Sequence, residues 1–300
     1  QERRGIPKLN MADGSSGIRL VPVYETDAQG KLITDGFFSI PGVERFADVV
    51  PGKQCADSTV RYQNATGLPM ATLLAQTWDT QCMEACGRMI AQEMEVFGLD
   101  LWLAPALNLQ RDPLCGRNFE YFSEDPYLTG KMAAAYINGV QSWDVGTSIK
   151  HFAVNNQEYK RMCVSSEVSE RAFREIYLPA FEEAVKEAQP KTVMCSYNKI
   201  NGVFASENED LLTKILRDEW GFEGYVVTDW GAVNDRVKGL KAGVDLEMPS
   251  TGGYNDKKIV EAVKSGELDE KVLNRAVERM LKVIFSYVDH RHQKEKNESL

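Results

Sequence analysis

No run in this 300-residue sequence approaches the roughly 18 consecutive apolar residues that a membrane-spanning helix needs. The opening residues, Gln1 to Asn10, are charged and lack the apolar stretch of a signal peptide. Neither Gly-x-Gly-x-x-Gly nor the phosphate-binding pattern Gly-x-x-x-x-Gly-Lys-Ser/Thr follows any strand-like segment, which removes the main reason to expect a nucleotide-binding sheet. No Cys-x-x-Cys pair occurs among Cys55, Cys82, Cys86, Cys115, Cys163 and Cys195, and the three histidines do not cluster with them. No metal site is therefore expected, and the cysteines read as buried, reduced thiols of a cytoplasmic protein. Basic residues form no patch interleaved with aromatics, and the formal net charge is −9. Such a surface repels nucleic acid and anionic membranes and favours a neutral partner. No internal repeat is found.

What is present is a chain 43% hydrophobic and 26% charged, long enough for a large core. Its length permits two ordinary domains or one α/β barrel of roughly 250 residues. From Leu99 onward, strand-like and helix-like segments alternate. The strand-like ones are Leu101–Ala104, Thr147–Phe152, Thr192–Tyr197, Tyr225–Thr228 and Gly243–Leu246, after a first near Lys8–Met11. Helical spacing runs through Thr80–Phe97, Glu170–Ala188 and Glu270–Val288, with Pro179 predicted to kink the second. Short apolar strands alternating with amphipathic helices imply parallel β-α-β units, closed as a barrel or open as a doubly wound sheet. Polar residues at the strand C-termini favour the barrel: Asn108, Lys150 and His151, Ser196 to Asn198, Asp229 and Trp230, and Glu247. A barrel gathers all its strand ends around one mouth. The expected fold is thus α/β, a (β/α)8-like barrel over residues 1–289. A loop-like insertion occupies 21–69, and a polar tail or linker occupies 290–300.

Three segments carry candidate chemistry. Gly224–Gly231 reads as a buried strand ending in a carboxylate, Asp229, and an indole, Trp230. A retaining glycosidase needs one carboxylate to attack the anomeric carbon and a second carboxyl group to protonate the leaving oxygen. Trp230 offers an apolar face to a sugar. Local sequence equally allows Asp229 to cap the following helix. In the second segment Lys150 and His151 lie within an apolar strand, with Glu158 and Arg161 close behind. A lysine buried there must be paired, and the three basic groups can bind hydroxyls and hold a nucleophile ionised. In the third, Arg117 can grip hydroxyls or a carboxylate with its forked donors, and Glu120 can support it as a partner.

Four long stretches in order make a specific resemblance: GRNFEYFSEDPYLTGKMA, IKHFAVNNQEYKR, VMCSYNKING and ILRDEWGFEGYVVTDWG. Together they resemble the N-terminal barrel of glycoside hydrolase family 3, over Gly5 to about Phe285. The resemblance implies Asp229 as the catalytic nucleophile. It implies Asp13 as the group that grips hydroxyls on the far side of the glucose ring, and Arg117, Lys150, His151 and Arg161 as further hydroxyl binders. Tyr197 would lie close to the nucleophile, Met194 and Trp230 would wall the sugar, and Glu120 would stand behind Arg117. The His-Asp pair of the family's N-acetylglucosaminidase branch is absent from KHFAVNNQE, so the implied activity is that of a β-glucosidase-like enzyme on a small β-glycoside. A β-xylosidase, a β-galactosidase or a sugar-binding barrel without turnover are the alternatives. No metal or organic cofactor is implied, and an oligomer is allowed. The branch usually carries its acid/base glutamate on a separate α/β sandwich domain, expected elsewhere in the same polypeptide. Glu158, Glu207 and Glu247 are the internal alternatives. The form DGSSGIR and the length of the 21–69 insertion depart from the common pattern and leave aglycone preference open.

Overall fold

The computed structural model describes residues 5–29 and 59–298, with side chains as far as Tyr287. The core of the expected insertion, residues 30–58, lies outside the described residues. Strands β1 (Met11–Ala12), β4 (Leu101–Trp102), β5 (Gly146–Phe152), β7 (Thr192–Cys195) and β10 (Tyr225–Thr228) form one parallel sheet in that order. Its neighbours pair in register, as Met11 with Leu101, Leu101 with Gly146, Ser148 with Thr192, and Tyr225 with Thr192. The expected strand at Gly243–Leu246 is present as a single parallel bridge from Leu246 to Val227. Two smaller pairings lie outside the sheet: β2 (Val23–Thr26) with β3 (Thr59–Tyr62), and β6 (Ser165–Ser166) with β8 (Lys199–Ile200), which also pairs with β9 (Val203–Phe204). The first of these ties together the two ends of the 21–69 segment.

Alternation along the strands, interrupted in β5 by an irregularity between Ile149 and Phe152, sorts side chains into two cores. Trp102, Ile149, Phe152, Val193 and Val226 face outward, against helices α2 (Thr80–Val96), α3 (Pro126–Gln141), α5 (Pro179–Ala188) and α6 (Asp210–Glu219). Phe152 alone packs against Phe181 at 5.1 Å and Trp220 at 5.8 Å between ring centres. Burying each such side chain contributes roughly 1.5–3 kcal/mol. Leu101, Leu103, Met194, Tyr225 and Val227 face inward, together with Met11 from the first strand and Leu246 and Met248 from the last. The two edges of the sheet therefore wrap around one interior. This is the α/β barrel that the alternation predicts, with six parallel strand positions among the described residues. Val283 and Tyr287 of α9 (Glu270–Glu298) join the interior, and the Tyr287 hydroxyl sits against Gly146, at the start of β5. The helix closes the barrel end opposite the strand C-termini.

Local signals explain where helices begin. The Asp79 carboxylate accepts from the Gln81 and Cys82 amides to start α2, Asp125 does the same ahead of Pro126 in α3, and Asp235 starts α7 (Arg236–Ala242). Pro179 does more than kink its helix. The segment divides into Glu170–Ala172, a π-helical turn Phe173–Tyr177 and Pro179–Ala188, because proline offers no amide to continue the ladder. Helix α9 continues to Glu298, past the boundary expected at residue 289.

Helices α2 and α3 approach so closely that a side chain at either contact would strike backbone. A Cβ on Gly139 would lie 2.2 Å from the Glu84 carbonyl, and one on Gly87 would lie 2.4 Å from the Tyr136 carbonyl. Gly139→Ala is expected to cost about 1–3 kcal/mol and lower Tm by several degrees in thermal unfolding. Gly67→Ala, at a position open to solvent, should leave Tm unchanged. Equal Tm values for the two variants would contradict this packing.

Candidate active site

Every expected site residue lies at or just beyond the C-terminal end of a parallel strand, or on a loop reaching that end. Asp13 follows β1 in a turn closed by the Arg19 amide, which donates to the Asp13 carbonyl at 2.7 Å. Gly14 takes φ +129° there, and a Cβ would lie 2.0 Å from the Gly17 carbonyl, so the turn requires glycine. The Trp102 indole donates to the Gly14 carbonyl at 2.8 Å, and the Ser15 hydroxyl donates to Glu120 Oε2 at 2.5 Å. The loop carrying Asp13 is thereby fastened both to the sheet and to the Arg117 segment.

Lys150 points into the barrel and donates to Asp13 Oδ1 at 2.5 Å. Burial pushes the Asp13 carboxyl up, but the Lys150 charge and hydrogen bond, the Gly14 amide and Arg117 outweigh it and hold it below its ordinary value. Arg117 Nε bonds Glu120, and Arg117 Nη2 lies 2.8 Å from His151 Nε2. Burial pulls the guanidinium down, yet Glu120, Tyr121 and Asp229 raise it further than burial lowers it, so it stays charged. Arg161 donates to Glu158 Oε2 at 2.7 Å and stands 4.9 Å over the Tyr197 ring. The Tyr197 hydroxyl donates to the Trp230 carbonyl at 2.9 Å, while Trp230 packs on the interior cluster that contains Met194. Burial first, and then the charge of Asp229, push the Tyr197 phenol up.

Each cation thus has a carboxylate of its own: Lys150 with Asp13, Arg117 with Glu120, and Arg161 with Glu158. Asp229 is different. Its Oδ1 accepts from the Trp230 amide at 2.7 Å, whereas Oδ2 is buried with no hydrogen-bond partner among the described residues. The nearest charged-type neighbour, His151 Nε2, stands at 3.6 Å. Burial, together with Arg117, Lys150 and Arg161, holds that imidazole well below its ordinary pKa and therefore neutral. Burial also raises the Asp229 carboxyl, against the Trp230 amide and the Arg117 and Lys150 charges. The alternative of a helix cap is set aside, since Asp235 caps the helix that follows. The site contains one carboxylate oxygen that is desolvated, unbonded and set among fixed positive charges.

The structure also includes residues to which the sequence reading gave no role. Asn108, buried, binds His151 through both its amide oxygen and its amide nitrogen. Ser15 completes the bonding of Glu120. Asn108 was visible as a polar residue after a strand, but its partner was not. Among the internal acids, Glu207 accepts from the Asp235 amide at 2.9 Å, and Glu247 accepts from Asn255 at 2.6 Å beside Arg236.

A buried carboxyl whose pKa is raised on folding binds its proton more tightly in the native than in the unfolded state. Ionised Asp229 therefore costs stability at neutral pH, and that cost is relieved as pH falls from above the folded pKa toward the unfolded one. Asp229→Asn, which keeps the shape and removes the charge, is expected to raise Tm at pH 7. A lower Tm would mean that the surrounding cations need the carboxylate more than burial penalises it.

Similarity to known proteins converges on the same site-bearing domain. The profile of the Glycosyl hydrolase family 3 N terminal domain matches residues 52–283. Thermostable beta-glucosidase B of Acetivibrio thermocellus is 50% identical over 292 residues, which is 97% of this chain and 35% of that protein. An exo-alpha-(1->6)-L-arabinopyranosidase of Bifidobacterium breve is 44% identical over 277 residues, 92% of this chain and 36% of that protein. The structure of beta-glucosidase 3B from Thermotoga neapolitana in complex with alpha-D-glucose superposes with a TM-score of 0.82 at 41% identity, covering 97% of this chain and 38% of the other. The chain spans about a third of the length of the curated relatives it matches. A matched profile covering most of the residues, relatives at this level of identity and a shared barrel place the chain in the N-terminal domain family of the family 3 glycosyl hydrolases.

Proposed function

We propose that this barrel binds a terminal β-linked glucose, or a close epimer, and hydrolyses the glycoside with retention, Asp229 acting as the nucleophile. The observation that carries the reading is the buried, unbonded Asp229 Oδ2 in a mouth whose three cations are already matched with other carboxylates. Asp229 Oδ2 forms a bond to the anomeric carbon as the bond to the leaving oxygen breaks, and that oxygen takes a proton from an acid. Water then attacks the same carbon, gives its proton to the conjugate base, and frees Asp229. Two inversions leave the configuration unchanged. Asp13 and Lys150 grip outer hydroxyls as an acceptor and donor pair, Arg117 and Arg161 add donors, and Trp230 with Met194 forms the apolar wall. Glu120 keeps Arg117 in place. Names of relatives support glucose as the sugar.

The acid/base is assigned to an α/β sandwich domain of the same polypeptide outside residues 1–300. Supporting this, Glu158, Glu207 and Glu247 are each engaged as acceptors within the barrel, and the relatives are nearly three times as long. Among the described residues no helix is long and apolar enough to cross a membrane. A cytoplasmic location is part of the same reading, resting on the free thiols of Cys82, Cys86, Cys115, Cys163 and Cys195. A pentopyranosidase is the second reading, because one relative of comparable identity is named for an L-arabinopyranoside. A barrel that binds sugar without turnover has less support, since burying an unmatched carboxylate is costly without a reaction to use it.

A 2-deoxy-2-fluoro glucoside with a dinitrophenyl leaving group tests the reading, because it needs little acid assistance and its covalent intermediate is slow to hydrolyse. Peptide mass spectrometry should find the sugar on Asp229, and the Asp229→Ala chain should stay unlabelled and lose several orders of magnitude in rate. A label on Glu247 or Asp13 would overturn the assignment. The raised Asp229 carboxyl sets a pH limit as well. The labelling rate should fall on acidification at a pH above the 3.8 of an ordinary aspartate, because only the ionised form attacks. General acid help contributes about 10²–10⁴-fold and matters most for poor leaving groups. Residues 1–300 should therefore act on dinitrophenyl glucoside and show almost no cellobiose hydrolysis. Cellobiose turnover equal to that of the longer polypeptide would place the acid inside the barrel.

A further inference from the structure

Asn108 makes three contacts with one histidine. The His151 amide donates to Asn108 Oδ1 at 2.8 Å, Asn108 Nδ2 donates to the His151 carbonyl at 2.9 Å, and ring atom Nδ1 lies 3.3 Å from the same Oδ1. The two backbone contacts remove any choice of amide orientation. A backbone N–H only donates and a backbone carbonyl only accepts, so a flipped Asn108 would set donor against donor and oxygen against oxygen. With the orientation fixed, Oδ1 faces Nδ1, and only a protonated Nδ1 makes that contact attractive. The far side of the ring agrees. Arg117 Nη2, which can only donate, lies 2.8 Å from Nε2 and requires a lone pair there.

We propose that Asn108 is a positioning residue that holds His151 in the Nδ1–H tautomer, so that the Nε2 lone pair accepts from Arg117 at the site. The role in sugar recognition rests on the proposed glycosidase reading, while the tautomer itself rests on the contacts alone. Two consequences follow. Lys150, Arg117 and Arg161 can only donate, and the Nε2 lone pair is taken by Arg117, so His151 holds Arg117 in place as a donor and Asp13 is left to take hydrogens from substrate hydroxyls. The opposite tautomer would aim Nε2–H at Asp229 Oδ2, 3.6 Å away, and tie up the one unbonded carboxylate oxygen. Asn108 thus keeps His151 from binding the nucleophile. The charged groups that face the ring are Arg117, Lys150, Arg161 and Asp229, and the three cations join burial in keeping it neutral.

The test is nitrogen NMR on the 300-residue chain labelled with ¹⁵N in its histidine rings, His151 being assigned by the signal lost in His151→Gln. The expected spectrum at pH 7 has a protonated Nδ1 and an unprotonated Nε2, unchanged between pH 5 and 8. Asn108→Ala should convert it to a mixture of tautomers. Asn108→Asp, which keeps the acceptor and adds a charge, should retain Nδ1–H and bring the ring into titration within that range. A residue that served only to pack would leave both variants with the same ring signals. A wild-type spectrum with Nε2 protonated, or an unchanged tautomer in Asn108→Ala, would overturn the proposal. If Asn108→Ala does not fold, the wild-type spectrum and the Asn108→Asp titration decide. No turnover is needed, so a chain with the expected tautomer that takes no label from the 2-fluoro glucoside would count against the glycosidase reading and not against this one.

Discussion

The site is organised around the cost of keeping Asp229 charged where its side chain is largely buried. Removing a carboxylate from water is expensive, and a fold normally offsets that with an ion pair at contact distance. Here the contact pairs are formed elsewhere, and Asp229 receives one amide bond, the influence of the nearby Tyr197 hydroxyl and the longer-range field of Arg117 and Lys150. That arrangement leaves the carboxyl raised but surrounded by groups that favour its ionised form. An oxygen held in this way gains more from bonding to an electron-poor carbon than a solvated one would, because it has no hydration shell to shed. The neighbouring groups can be understood through this constraint. Lys150 must be neutralised by Asp13 and Arg117 by Glu120, or they would bind Asp229 outright. His151 must be neutral and must present a lone pair, or it would donate to the same oxygen.

The barrel makes this possible by supplying groups from separate strands that share one end. Asp13 comes from β1, Lys150 and His151 from β5, Tyr197 from beyond β7, and Asp229 from β10. Residues far apart in sequence meet because parallel strands point their C-termini the same way. Two interior anchors keep the strands in place: the apolar cluster shared by Met11, Met194, Val227 and Leu246, and the buried Asp245 bonded by Arg217 at 2.7 Å and Arg279 at 3.1 Å. The second ties α9 to the last strand position. Arg117 is braced from the other direction, through Glu120 and Ser15 to the loop that carries Asp13.

Much of this was legible in the sequence, and the exceptions have physical reasons. The runs 147–152, 192–197 and 225–228 announced buried parallel strands because both faces of such a strand are covered and no alternation is needed. Pro179 announced a break because its ring cannot continue a helix. The run 243–246 was legible as well, although its strand position is only a single bridge. The pairing of Val23–Thr26 with Thr59–Tyr62 could not be read, because the two strands are separated by a long segment and no short turn joins them. The helix beyond residue 289 was missed because polarity reports exposure, not backbone conformation. Asp229 was ambiguous locally, as carboxylates cap helices and also attack sugars. In the structure the cap of the next helix belongs to Asp235. Asn108 had no sequence signal beyond its place after a strand, because its role depends on which way a neighbouring backbone points.

Chemical rescue of Asp229→Ala tests the central claim most directly. With a small anion such as azide and dinitrophenyl β-glucoside, a chain that lacks only its nucleophile should accept azide from the face that Asp229 occupied. The account predicts recovery of rate and a product identified by NMR as the α-glucosyl azide. Formation of the β-glucosyl azide would show that the carboxylate lost was the acid/base, and the absence of any azide adduct would show that Asp229 does not face the anomeric carbon.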